Sequence, residues 1–147
     1  MKALENRLEH LIQLGVEGIS KASESKLTYS VSPEKWSKKE ILGHLIDSGV
    51  NNLQRFTEIQ FKTKPYTFDN YKQADLVKAN DYQHAEINEL LGLWKAINNR
   101  IRYLFSIQNE TTLGYKVVLG SGEVSDLQFL MVDYVDHLEY HLKQILG

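Results

Sequence analysis

Apolar side chains recur at three-and-four spacing in four separate segments of the sequence, and each segment is long enough for a helix of several turns. These segments run from about Ala3 to Ala22, from Lys38 to Phe61, from Asp81 to Ile107, and from Ser125 to just before Gly147. Only 2 prolines and 9 glycines interrupt the 147 residues, which favours long regular elements. Four amphipathic helices in a chain of this size predict an all-α fold, a four-helix bundle, formed as a single domain over residues 1–147.

The stretches between these segments carry their own signals. Ser37 followed by Glu40 matches a capping box and predicts the start of the second helix. The stretch KTKPYTFDNYKQADL (residues 62–76) is polar, aromatic and aperiodic, which predicts a long ordered loop. Such a loop permits either an antiparallel neighbour or a crossover connection. The stretch YKVVLGSGEVS indicates two short extended pieces around Gly120–Ser121–Gly122, a pattern compatible with a β-hairpin before the last helix.

Composition excludes several classes of protein. The net charge of −2 gives no electrostatic bias toward nucleic acid or anionic membranes, so we expect neither as a partner. The chain has no cysteine, which rules out disulfides, zinc–thiolate sites and a cysteine nucleophile. The segment MKALENRLEHLIQLG lacks the apolar run of a signal peptide, and no apolar run is long enough to span a bilayer. We therefore expect a cytoplasmic protein.

Two histidines stand four positions apart in the last helical segment, in the stretch DHLEYHLKQIL. At this spacing His137 and His141 lie on one face of a helix, about 6 Å apart along its axis. Two such imidazoles can bind one metal ion, as the histidines of H-E-x-x-H do. A histidine on a buried face is more often a core residue with a satisfied hydrogen bond, but two rings need two sets of partners. The spacing alone leaves both interpretations open.

A third histidine lies on a polar stripe of the second helical segment. That stripe consists of His44, Asp47, Ser48, Asn51 and Arg55. His44 falls roughly 60° outside the apolar arc, taking about 100° per residue. The stripe is either a solvated helix face, which we favour for Ser48 and Asn51, or the wall of a groove open to water, which suits a catalytic metal. His10 and His84 lie among polar residues, and we expect both to be exposed.

The stretch WSKKEILGHLIDSGVNNLQRF resembles the second-helix signature of the DinB-like superfamily, in particular of its YfiT-like metal-dependent hydrolases. The stretch YVDHLEYHLKQIL resembles the last helix of the same family, with its paired histidines. The resemblance covers nearly the whole chain. It implies a four-helix bundle that carries a divalent metal on three histidines, here His44, His137 and His141. Nickel, zinc, iron and manganese are all compatible with imidazole ligands. Relatives in this family include transferases and isomerases that use low-molecular-weight thiols such as bacillithiol, mycothiol or glutathione.

Such a site supports two reactions on a small molecule. A divalent metal lowers the pKa of bound water from about 15.7 toward 7, which gives a hydrolase. It also holds a bound thiol as thiolate, which gives a thiol S-transferase. A non-catalytic, metal-stabilised binding or structural bundle is the alternative. The resemblance further indicates a homodimer.

Two residues of the polar stripe are candidates for catalytic roles. Asp47 is positioned to orient a histidine or bound water; a solvated aspartate is the competing interpretation. Arg55 is a candidate for binding an anionic group of the substrate or cosubstrate, or else pairs with Glu58 at the surface.

Overall fold

A computed structural model describes all 147 residues and shows a predominantly helical protein. Its long helices are α1 (Lys2–Lys21), α3 (Lys38–Glu58), α5 (Ile87–Ser106) and α7 (Leu127–Leu146). Its short elements are the helices α2 (Glu24–Thr28), α4 (Gln73–Ala79) and α6 (Glu110–Leu113), a 3-10 helix (Tyr82–His84), and the strands β1 (Lys116–Val118) and β2 (Val124–Asp126). None of the helices has the length and apolar character needed to cross a membrane.

The four long helices form the predicted bundle, with α1 and α3 on one diagonal and α5 and α7 on the other, so that each helix packs against the two on the other diagonal. Gly49 of α3 lies against Ile97 of α5, and further along both helices the rings of Phe56 and Phe105 are 6.1 Å apart. Because both residue numbers increase in the same direction, α3 and α5 run parallel. The long connection between them is therefore a crossover.

The helix α5 begins later than the sequence predicted. The periodic segment was expected from Asp81, but α5 starts at Ile87, capped by the side chain of Glu86. Asp81 takes the left-handed conformation, with φ 50°, which ends any helix passing through it. Tyr82 follows within the 3-10 helix and is buried against α3. Tertiary packing of this tyrosine therefore overrides the helical pattern.

The predicted hairpin is present. The strands β1 and β2 pair antiparallel, and Gly122 in the turn between them takes φ 88°, a conformation that favours glycine. The crossover is fastened to this hairpin, because the Tyr66 amide donates to the carbonyl of Lys116 at 2.8 Å and the Val118 amide donates to the carbonyl of Tyr66 at 2.9 Å. The predicted loop is ordered as expected, but its end, from Gln73, belongs to α4.

Candidate metal centre

The three histidines meet where α3 packs against α7. These two helices run antiparallel: Lys38 at the start of α3 bonds the carbonyl of Gly147 just after α7, while Gly49 lies against Tyr134. His44 therefore falls opposite the middle of α7. The ligand atoms of His44, His137 and His141 all lie within 4.8 Å of one another.

The separation of the nitrogen atoms fits a single ion. The Nε2 atoms of His44 and His137 are 3.1 Å apart. Metal–nitrogen bonds to imidazole are about 2.0–2.1 Å, so two nitrogens bound to one ion at tetrahedral or right angles lie about 2.8–3.4 Å apart. The same distance also allows one neutral ring to donate a hydrogen bond to the other. The third ring favours an ion, because an N–H shared between two rings leaves a third nitrogen unexplained.

Contacts around the cluster orient its rings. Trp36 packs on the ring of His44, with ring centroids 5.0 Å apart and planes inclined by 37°. His141 Nδ1 lies 2.8 Å from Gln144 Oε1, so Nδ1 is the nitrogen that donates there and Nε2 is the one turned to other partners. Neither Trp36 nor Gln144 was singled out from the sequence as a site residue. The one usable signal is that Gln144 follows His141 by three positions, one helical turn.

Two of the three rings, His44 and His137, are neutral at physiological pH. Burial, and then the charges of His137 and His141, lower the pKa of His44 from its ordinary 6.5 to about 4. Burial and the charge of His141 likewise lower the pKa of His137 to about 4. Neutral imidazole is the form that binds a metal, so these two rings are ready as ligands without first losing a proton.

His44 is only 1% exposed, which decides between the two interpretations of the polar stripe at this position. His44 therefore belongs to the wall of the groove between α3 and α7 and not to a solvated helix face. Ser48, for which we favoured a solvated face, is 2% exposed, so that prediction was wrong. The reason is that α5, α7 and the 3-10 helix all pack on α3 and cover more of its circumference than an apolar arc reveals. His10 and His84 are exposed, as predicted.

Asp47 is buried and faces the 3-10 helix. Its Oδ1 atom accepts a hydrogen bond from the Tyr82 hydroxyl at 2.6 Å and one from the Asn80 amide at 3.3 Å. Burial raises the pKa of the Asp47 carboxyl, and the bond from Tyr82 partly opposes this. These contacts fasten the turn before α5 to α3. A catalytic role for Asp47 stays a prediction.

Arg55 is half-buried and does not pair with Glu58, which bonds Lys62 at 3.0 Å instead. Its guanidinium carbon lies 3.9 Å from the centroid of the Phe68 ring and 5.4 Å from that of Tyr71. Both rings belong to the crossover, so the crossover positions this arginine.

A cavity of about 580 Å³ lies between these residues and the histidines. His137 and Arg55 both line it, together with Ser48 and Tyr134. His44 and His141 are not among its lining residues. The arrangement thus gives one histidine of the cluster direct access to a cavity of the size that takes small molecules, roughly 300–1,000 Å³.

Solved structures with the same fold support this description. The structure of YfiT from Bacillus subtilis, described as a probable metal-dependent hydrolase with an unusual four-helix bundle topology, matches with a TM-score of 0.88 and 19% identity, covering 98% of this chain and 82% of that one. The mycothiol-dependent maleylpyruvate isomerase matches with a TM-score of 0.74 and 10% identity, covering 98% of this chain. This chain spans only 60% of the length of that isomerase.

At these low identities, the structural likeness shows the fold alone. A search of curated proteins finds no match to the sequence. The sequence itself matches the family description of the DinB superfamily over residues 3–145, nearly its whole length. The chain therefore belongs to the DinB superfamily.

Proposed function

We propose that the protein is a divalent-metal-dependent enzyme that acts on a small molecule at a site formed by His44, His137 and His141. The observation that carries this proposal is the convergence of three imidazole ligand atoms within 4.8 Å. A cavity reaches the same place through His137. A structural metal site is usually closed by four protein ligands, whereas a catalytic one keeps a position open to substrate. The cavity therefore favours an enzyme over the alternative of a non-catalytic, metal-stabilised bundle.

Two reaction classes fit these residues, hydrolysis and the S-transfer of a low-molecular-weight thiol. When bound, the ion supplies Lewis acidity and lowers the pKa of water or of a thiol at its open position. The chain's part is to present the imidazole rings, to cover the ring of His44 with Trp36, and to admit substrate past His137. Because the chain has no cysteine, any thiol must come from a cosubstrate. Asp47 and Arg55 are the residues we propose to assist, as an orienting carboxylate and an anion-binding cation.

The metal site is tested by elemental analysis of the purified protein. We expect about one divalent ion per chain, whether nickel, zinc, iron or manganese. His141→Ala should lose most of this metal, because it removes one of three ligands. His84→Ala is the matched control: His84 is exposed and contacts only Asp81 within its own turn. Equal metal retention in the two variants would refute the site.

The reaction is tested on protein loaded separately with each of the four metals. Conjugation of an electrophile with several cellular thiols, and hydrolysis of esters and amides, should be assayed in parallel with His137→Ala. Activity that depends on both the metal and His137 supports the proposal and identifies the reaction class. Activity unchanged in His137→Ala would remove the metal from the mechanism. Assembly as a homodimer stays a prediction, for which light scattering at high concentration is the direct measurement.

A further inference from the structure

We propose that the cavity beside His137 binds its small molecule through an oxyanion, a carboxylate or a phosphate, held by the guanidinium of Arg55. This inference names the substrate class of the proposed reaction and so rests on the proposed function for its meaning. Its test, however, does not need the metal.

Arg55 is a half-buried cation whose charge is not balanced by a carboxylate. Its one hydrogen bond goes from Nη2 to the backbone carbonyl of Asp69 at 3.0 Å. A guanidinium carries five N–H donors, so the others have no protein acceptor and are available to a ligand. Burial lowers the pKa of Arg55, in line with the absence of a paired carboxylate. A bound anion supplies both missing components, the opposite charge and the acceptors.

The contacts with Phe68 and Tyr71 prepare the guanidinium for a planar or tetrahedral anion. The guanidinium carbon lies over both rings, 3.9 Å from the Phe68 centroid and 5.4 Å from that of Tyr71, and a cation held over ring faces in this way keeps N–H groups for hydrogen bonding. The aromatic contacts also restrict the side chain before a ligand arrives, so less conformational entropy is lost on binding. The Asp69 carbonyl fixes one corner of the guanidinium plane.

The remaining lining fits a small organic anion with an apolar part. Asn70 and Gln73 bring amide groups to the cavity, while Phe129 and Leu130 bring apolar surface. Asp133 is the other charged residue of the lining. Burial of its carboxyl, and then the charge of Asp136, raise the pKa of Asp133, so the cavity wall disfavours its negative charge while Arg55 stays a cation.

The experiment titrates three ligands of similar shape, benzoate, phenyl phosphate and benzamide, into the metal-free protein. Nuclear magnetic resonance follows the Arg55 Nε–H signal and the ring signals of His137. We expect at least one of the two anions to bind tenfold or more tightly than neutral benzamide, with both signals shifting. Whichever of the two anions binds more tightly shows whether the site favours a carboxylate or a phosphate. Arg55→Gln should abolish the preference for the anion.

Arg100→Gln is the matched control. Arg100 also places its guanidinium over a ring, 5.3 Å from the centroid of Tyr103, but it lies outside the cavity. It should leave anion affinity unchanged. Equal affinity for benzamide and both anions, an equal loss in Arg100→Gln, or an Arg55 Nε–H signal that does not move at saturation would each overturn the proposal. This last readout uses the wild-type protein, so it holds even if Arg55→Gln fails to fold.

Zinc titrated into the same samples separates this inference from the proposed function. Anion selectivity without zinc binding would leave the oxyanion site standing and count against the metal site. Zinc binding without anion selectivity would do the reverse.

Discussion

Replacing Gly43 with alanine should destabilise the protein strongly, although alanine is the better helix former. Gly43 directly precedes His44 in α3, at the point where the ring of Tyr82 rests on the helix. A Cβ atom at residue 43 would lie 2.1 Å from Tyr82 Cδ2 and 2.3 Å from its Cγ. The ring must move, and it is anchored by the 2.6 Å hydrogen bond from its hydroxyl to Asp47.

The magnitude follows from three contributions. Alanine in place of glycine inside a helix stabilises by about 1 kcal/mol. Overpacking of this kind costs about 1–3 kcal/mol. Losing a hydrogen bond to the Asp47 carboxylate costs about 1.5–3 kcal/mol more. We therefore expect a net loss of about 1.5–5 kcal/mol in the free energy of unfolding.

The assay is urea denaturation followed by circular dichroism. Gly92→Ala is the matched control, because Gly92 lies inside α5 with no atom within 4 Å of its added Cβ. That variant should gain about 0.5–1 kcal/mol from helix propensity alone. A double variant tests the cause: in a Tyr82→Ala background the Gly43→Ala penalty should disappear. If Gly43→Ala is as stable as the wild type, or if its penalty persists without the Tyr82 ring, the reasoning is wrong.

Two further predictions concern the interior. Tyr134→Phe should cost about 1–3 kcal/mol, because it strands the buried oxygen of Asn98, which now accepts a hydrogen bond from the Tyr134 hydroxyl at 2.7 Å; Tyr140→Phe, at an exposed position, should be neutral in the same denaturation assay. The free energy of unfolding of the metal-free protein should not depend on His44 and His137 above pH 6.5, and it should fall between pH 6.5 and about 4. The pKa values of both residues are lowered from 6.5 to about 4 in the folded state, so the unfolded chain binds more protons in that window. A His137→Gln variant with the same pH dependence as the wild type would contradict this.

Local signals in the sequence were sufficient to predict the helices and their ends in most places. The capping box of Ser37 and Glu40 starts α3 as predicted, since both of its hydrogen bonds involve residues close in the chain. The hairpin was predictable for the same reason. The start of α5 was not, because the left-handed Asp81 and the buried Tyr82 depend on contacts with α3, which lies far away in sequence.

The arrangement of the helices also lay beyond the sequence pattern. Periodicity shows which face of a helix is buried, but not which helix covers it. The parallel packing of α3 and α5 depends on a crossover whose path is fixed by the pairing of Tyr66 with the hairpin. For the same reason the prediction for Ser48 was wrong: the sequence pattern indicates a polar surface position, but neighbouring elements pack over it.

One part of the candidate site was predictable from local sequence, and another part depends on how distant helices pack. His137 and His141 are one turn apart, so their proximity follows from helix geometry alone. His44 lies in another helix, and only the family resemblance joined it to the pair before the antiparallel packing of α3 and α7 was known. The cavity could not be predicted, since it is enclosed by residues from α3, the crossover, the hairpin and α7.

The histidine cluster lowers the free energy of unfolding, so a contribution to stability does not explain its presence. Leucine side chains at the same junction of α3 and α7 would fill the space without nitrogen atoms to satisfy. His44 instead keeps its Nδ1 atom buried with no protein partner, and a group of that kind costs about 1–3 kcal/mol. The Nε2 atoms of His44 and His137, 3.1 Å apart, accommodate at most one N–H between them, so lone pairs converge on the same point. A cation at that point reverses the sign of the interaction, and at one hundred times its Kd a ligand specific to the folded state adds about 2.7 kcal/mol. The cluster is thus unfavourable in isolation and favourable only with a ligand, which is the physical reason to seek the function of this protein there.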